Sequence, residues 1–107
     1  MSKLHELNKS ATIAWSPLAK SSSLIAAGTV AGILDRDFDT SAHLELFKID
    51  LRSPKTEAKL VGSTTAADRF SKICWSSFGS QGSYPNGIIA GGLANGVVQI
   101  WDPAKIM

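Results

Sequence analysis

The sequence predicts an all-β fold of consecutive antiparallel sheets, and three observations carry that expectation. From residue 11 onward the chain is a succession of short runs, some alternating apolar and polar, others continuously apolar. Pro, Gly, Asn, Asp and Ser residues punctuate those runs, as they do between strands. The order of runs then starts again at Phe70, as in an architecture built from repeats.

The elements follow in order. Ala11–Ser16 reads as a strand stopped by Pro17, which has no N–H for a central ladder. Beyond a small polar loop at 20–23, the run from Ser23 to Thr29 is nearly continuous in apolar residues. Such a run suits a strand buried on both faces. A polar stretch from Asp35 to Ala42 leads into His43–Asp50, where Leu44, Leu46 and Lys48 share one face and Glu45, Phe47 and Ile49 the other. Ser53-Pro54 ends that strand. Lys59–Thr65, rich in β-branched residues, supplies a fourth. Phe70–Ser76, Gly87–Leu93 and Gly96–Asp102 then repeat the first three in kind. Asn95-Gly96 predicts a type I′ turn joining the last two as a tight hairpin. The small residues Gly91 and Gly92 leave a low spot over which Trp101 can pack. Asp102 and Pro103 stop the last strand.

The repeat can be placed by its aromatics. Trp75-Ser76 stands where Trp15-Ser16 stood, 60 residues earlier, and Trp101 answers Phe47 at a distance of 54 residues. The expected division is a lead-in over 1–10, a first four-stranded unit over 11–66 and a second, incomplete unit over 67–107.

The segment Ile89-Ala90-Gly91-Gly92, followed by Asn95 through Ile100-Trp101-Asp102, resembles the second half of a WD40 repeat, a four-stranded propeller blade ending in Trp-Asp. The resemblance implies that 11–66 is a first WD40-like blade and 67–107 a second, incomplete one, and since propellers close with about 4 to 8 blades, that the whole is an incomplete propeller. Further words narrow the resemblance: Ala14-Trp15-Ser16-Pro17, Ala27-Gly28-Thr29, Leu44-Glu45-Leu46-Phe47, Ile73-Cys74-Trp75 and Ala90-Gly91-Gly92. In that order they are similar to the large outer-coat subunits of COPII vesicles, the Sec thirty-one family, along nearly the whole chain from Leu4 to Ile106. Each word is short, and specificity lies in their order and in a first unit longer than the roughly forty residues of a generic WD40 repeat. The resemblance implies a non-enzymatic scaffold in endoplasmic-reticulum-to-Golgi transport, built as an N-terminal WD40 propeller, an α-helical solenoid and a proline-rich region. It implies contacts with the smaller COPII propeller subunit and with inner-coat proteins, and peripheral association with the cytosolic face of the endoplasmic reticulum through the coat. The sequence holds neither solenoid nor proline-rich stretch, so an N-terminal fragment or truncated product is expected.

Composition excludes several other classes. With 44% hydrophobic and 19% charged residues, the chain is globular in character and not a disordered tail. A formal charge of +2, evenly scattered, argues against a nucleic-acid surface. One cysteine, Cys74, cannot form an internal disulfide. The polar start has no apolar core for a signal peptide, and Ser2 replaces the glycine of a myristoylation site. Without secretion, the sequon Asn8-Lys9-Ser10 is read as chance. The seven-residue run Leu24–Val30 is far short of the roughly 20 needed to span a bilayer. These features predict a cytoplasmic protein.

No catalytic, cofactor-binding or metal site is expected. Asp35, Asp37 and Asp39 alternate as in a calcium loop, but Thr40 and Leu46 stand where an EF-hand needs Gly and Glu, so a solvated loop is expected. His5, His43 and Cys74 show no metal-ligand spacing. Cys74, beside Trp75 in an apolar run, reads as a buried inert thiol, and His43 as a solvent-facing residue at a strand entry. Gly79-Ser80-Gln81-Gly82 is no nucleophile elbow, and Gly91 to Gly96 is neither a dinucleotide fingerprint nor a P-loop. Trp15, Trp75 and Trp101 lack interleaved basic residues and are expected to pack between adjacent blades. Seven strands also match an immunoglobulin-like sandwich in size. That rival lacks the Cys…Trp…Cys pattern and leaves the internal repeat unexplained.

Overall fold

A computed structural model describes residues 11–18, 23–30, 42–50 and 58–107. Among these are strands β1 (Ala11–Trp15), β2 (Leu24–Val30), β3 (Ala42–Lys48), β4 (Lys59–Ala66), β5 (Phe70–Ser76), β6 (Ile88–Leu93) and β7 (Val98–Trp101). A one-turn helix, α1 (Pro103–Ile106), follows them. The strands form two antiparallel sheets, β1-β2-β3-β4 and β5-β6-β7, with spatial order equal to chain order in each. Each sheet is thus a meander, the topology of a WD40-type blade. An immunoglobulin sandwich would interleave strands of its two sheets along the chain. The two sheets do not close into a ring, and the fold is that of an incomplete propeller.

Local chemistry accounts for the strand limits. β1 ends two residues before Pro17, and the Ser16 N–H still reaches the Leu24 carbonyl at 3.0 Å. The Ser16 hydroxyl accepts the Leu18 N–H at 3.3 Å, and the Ser76 hydroxyl accepts the Phe78 N–H at 3.0 Å. The repeated Trp-Ser pair therefore ends both β1 and β5 by the same side-chain turn. Bulges bend each sheet once. The β3–β4 register shifts between Leu46 and Phe47, leaving Val61 unmatched, and the β5–β6 register shifts between Phe70 and Lys72.

The last hairpin differs from the type I′ expectation. The Gly96 N–H donates to the Leu93 carbonyl (3.1 Å) and the Leu93 N–H to the Val97 carbonyl (2.9 Å). Ala94 and Asn95 therefore occupy the centre of the turn, and Gly96 follows them at φ +86°. This is a three-residue loop closed by a left-handed glycine. Asn95 contributes through its side chain, whose Oδ1 accepts the Val97 N–H at 3.1 Å.

Between the sheets lies the main core. Leu24, Ala26, Leu44 and Leu46 from the first sheet meet Ile73, Trp75 and Ile89 from the second. Ala14, Val61, Phe70, Trp101 and Ile106 border them. On the opposite face of the first sheet, Ile25, Ala27, Phe47 and Ile49 form a second buried cluster with Ala58 against it. Residues Leu24 to Gly28 are thus buried whichever way they point, as their continuous apolar run predicts.

Helix α1 is an element that the sequence reading did not anticipate. Asp102 caps it by accepting the Ala104 N–H at 3.0 Å, and Pro103 fits the first turn because no N–H is needed there. The helix lies against β4, with Ile106 over Gly62.

Candidate interaction surface

The strand registers make the two sheets superimposable residue by residue. In the first sheet Trp15, Ile25 and Phe47 lie abreast across β1, β2 and β3; in the second, Trp75, Ile89 and Trp101 lie abreast across β5, β6 and β7. One step along, Ala14, Ala26 and Leu46 answer Cys74, Ala90 and Ile100. A further two steps bring Thr12, Gly28 and Leu44 against Lys72, Gly92 and Val98. Because strand side chains alternate between faces, each sheet has a front, bearing the alanine row, and a back, bearing the tryptophan row.

The front of the first sheet is closed by the back of the second. Phe70 locks this contact. A Cβ added at Gly28 would come within 2.5 Å of Phe70 Cγ and 2.7 Å of Ile73 Cδ1, and one at Gly91 within 2.5 Å of Phe70 Cε1. The ring of Phe70 thus lies between one glycine from each sheet, and it meets the Trp101 ring at a centroid distance of 5.6 Å. The expected packing of Trp101 over the glycine pair holds at Gly91, shared with Phe70. Gly92 has no atom of the described residues within 4 Å of an added Cβ. Trp75 is buried, and its indole N–H donates to the Asn86 carbonyl at 2.8 Å. Two further bonds tie the junction: Ala67 N–H to Gln99 Oε1 (3.0 Å) and Ala94 N–H to the Arg69 carbonyl (2.8 Å).

The front of the second sheet stands open. Val98 and Ile100 are 66% and 65% exposed there, with Cys74 exposed beside them. Cys74 is therefore not the buried thiol that its neighbours suggest. It points away from Ile73 and Trp75, which alternate with it along β5 and face the core. At the other side of the pair, on the back of β1, Ile13 and Trp15 are 54% and 46% exposed. Of the three tryptophans expected between blades, Trp75 is there and Trp101 is half-buried at its edge. Trp15 is 46% exposed, whereas Trp75, its equivalent on β5, lies against the front of the first sheet. Phe78 and Tyr84 add exposed aromatics in the β5–β6 connection.

His43, the second residue of β3, is half-buried and not fully solvent-facing, and it pairs across to Thr29 and Thr65. His5, the sequon at Asn8 and the carboxylates Asp35, Asp37 and Asp39 lie outside the described residues. Among the described residues no group of three or more His, Cys, Asp and Glu side chains could hold a metal ion. Every buried side-chain nitrogen and oxygen there has a hydrogen-bond partner. The described residues offer sheet faces: the front of the first sheet is covered, the front of the second is open, and Ile13 and Trp15 are exposed on β1. Phe70 is the functional residue that sequence reading missed, and its signal was an aromatic opening the strand that repeats Ala11–Trp15.

No protein-family model matches the chain. It is 42% identical over 107 residues, all of its length, to a protein transport protein SEC31 of Dictyostelium discoideum, of which it covers 8%. It is 41% identical over 105 residues, 98% of its length, to protein transport protein Sec31B of Mus musculus, of which it covers 9%. Against the SEC31 homolog B of Arabidopsis thaliana the identity is 36% over 108 aligned residues, covering all of this chain and 10% of that protein. The chain thus spans about a tenth of the length of these curated relatives.

Proposed function

Because the whole chain is homologous to one stretch of the Sec31 protein transport proteins, we propose that it forms propeller blades of a large COPII outer-coat subunit. In this reading residues 11–66 are the first blade and 67–107 the second. The chain is a non-enzymatic scaffold that works by protein–protein contact in transport from endoplasmic reticulum to Golgi. Its partners are the smaller COPII propeller subunit and inner-coat proteins, and it meets the membrane from the cytosolic side, peripherally, through the coat. Among the described residues, no helix is long and apolar enough to cross a membrane.

The observation that carries the reading is the match along the full chain, in which the two sheets and their junction are both included. The exposed faces support it chemically. Apolar side chains at Ile13, Trp15, Val98 and Ile100 give a binding protein surface to bury.

Replacement of the corresponding stretch of the Dictyostelium SEC31 by residues 1–107 tests the proposal. In cells depleted of the native protein, the chimaera is expected to restore export of a secretory cargo from the endoplasmic reticulum. A chimaera present at normal level, with cargo still retained, overturns the assignment and favours another WD40 scaffold.

A further inference from the structure

We propose that Asn95, in the turn between β6 and β7, is a site of spontaneous covalent modification. Its side-chain amide is lost through a cyclic imide, while the chain's other Asn-Gly pair, Asn86-Gly87, stays intact in the folded protein. The inference rests on the bonds within the two turns and does not depend on the transport reading.

An asparagine followed by glycine is open to attack by the glycine nitrogen on the asparagine side chain, because glycine has no Cβ to obstruct the approach. The sequence holds two such pairs, Asn86-Gly87 and Asn95-Gly96. In both the glycine is left-handed, at φ +74° for Gly87 and +86° for Gly96. In both its N–H is already bonded, Gly87 to the Tyr84 carbonyl (2.9 Å) and Gly96 to the Leu93 carbonyl (3.1 Å). These shared features do not separate the pairs; the surroundings of the reacting atoms do.

At Asn86 the backbone is held on both sides of the peptide that must turn. The Asn86 carbonyl accepts the Trp75 indole N–H at 2.8 Å. Gly87 is buried against the end of β5, where an added Cβ would strike the Ser76 carbonyl oxygen. Bringing the Gly87 nitrogen onto the Asn86 side chain therefore requires this end of the sheet to open. At Asn95 no such clamp exists among the described residues. Asn95 and Gly96 are exposed, and beyond its chain neighbours Gly96 has no atom within 4 Å of an added Cβ. The Asn95 Oδ1 accepts the Val97 N–H at 3.1 Å, which draws the side-chain carbonyl across the Gly96 peptide. As the nitrogen adds to Cγ that oxygen gains negative charge, and the Val97 N–H is already aimed at it.

Water is the only co-reactant. The Gly96 nitrogen gives its proton to solvent and forms a bond to Asn95 Cγ; the bond from Cγ to the side-chain nitrogen breaks, and that nitrogen leaves with a proton as ammonia. Water then opens the imide at either carbonyl, giving aspartate or, with the main chain rerouted through Cβ and Cγ, isoaspartate. Either product carries a carboxylate where the amide stood, so the formal net charge falls by one from +2.

The test incubates the chain at mildly alkaline pH, native and in urea, and follows each asparagine by peptide mapping with mass spectrometry. Conversion is read as the mass difference between water and ammonia, and cation-exchange chromatography measures the acidic product. In urea the two pairs are expected to convert at comparable rates. In the native chain Asn95 is expected to stay within a few-fold of its rate in urea, and Asn86 to fall at least about tenfold below its own, because its reaction waits for local opening. Equal native rates at the two pairs, or a faster one at Asn86, overturn the proposal. Asn95→Ser, an exposed change that keeps a side-chain acceptor for the Val97 N–H, is expected to abolish the acidic form of the native chain. Its appearance at an undiminished rate in that variant overturns the proposal as well.

Discussion

The two sheets carry matching residues in matching register on their fronts, yet they differ completely in burial. Leu44 and Leu46 are wholly hidden, while Val98 and Ile100, their equivalents, are about two-thirds exposed. The chemistry of each position is the same, a branched aliphatic on a strand. What differs is whether another sheet stands on that side. In repeat architectures burial is a property of a unit and its neighbour together, so an apolar strand residue reports the contact it is built for and not the contact it has.

The largest expected consequence is in stability. Leu46→Ala removes a fully buried side chain and is expected to cost about 2–5 kcal/mol, by lost burial and the cavity left behind. Ile100→Ala, at the equivalent place, is expected to stay within about 0.5 kcal/mol, as exposed substitutions do. Urea unfolding measures both. Equal losses would mean that the second sheet is covered as fully as the first, and the comparison would collapse.

A smaller effect separates the glycines. Gly28→Ala drives a methyl group into the Phe70 ring, and overpacking of this kind costs about 1–3 kcal/mol. Gly92→Ala meets open space and is expected to be neutral, or stabilising by up to about 1 kcal/mol through reduced freedom of the unfolded chain. Trimming the Phe70 ring sharpens the point. In a double-mutant cycle Phe70→Leu is expected to recover part of the Gly28→Ala loss and none of any Gly92→Ala change. Independent, additive losses at Gly28 and Phe70 would remove Phe70 from its place between the sheets.

Much of the architecture was legible because local and global signals agreed. Pro17 and the Trp-Ser pairs marked where inner strands end, and the continuous apolar run at Leu24–Gly28 announced a strand with two buried faces. Alternation at Leu44, Leu46, Phe47 and Ile49 assigned each residue to its cluster. What escaped depends on the third dimension. Cys74 and Trp75 are adjacent in the chain, so apolar context suggests one fate for both, but the pleat sends one to each face. Asn95-Gly96 favours two turns that differ by one residue in loop length, and the Leu93–Gly96 hydrogen bond decides between them. Trp15 and Trp75 are indistinguishable as words, and only the neighbour separates their burial. The role of Phe70 needed both registers at once, since its two glycines lie on different sheets.

The smallest effect is kinetic and uses the thiol itself. Cys74 lies on the open front at the position where Ala14 lies on the closed one. In dilute native protein Cys74 is expected to react with a chromogenic disulfide reagent within a few-fold of its rate in denaturant, because access and not opening limits the exchange. A cysteine moved to the closed front, Ala14→Cys in a Cys74→Ala background, is expected to react far more slowly, since β5 must first lift away from β1 and β2. Comparable native rates at the two positions would mean that the first front is as open as the second.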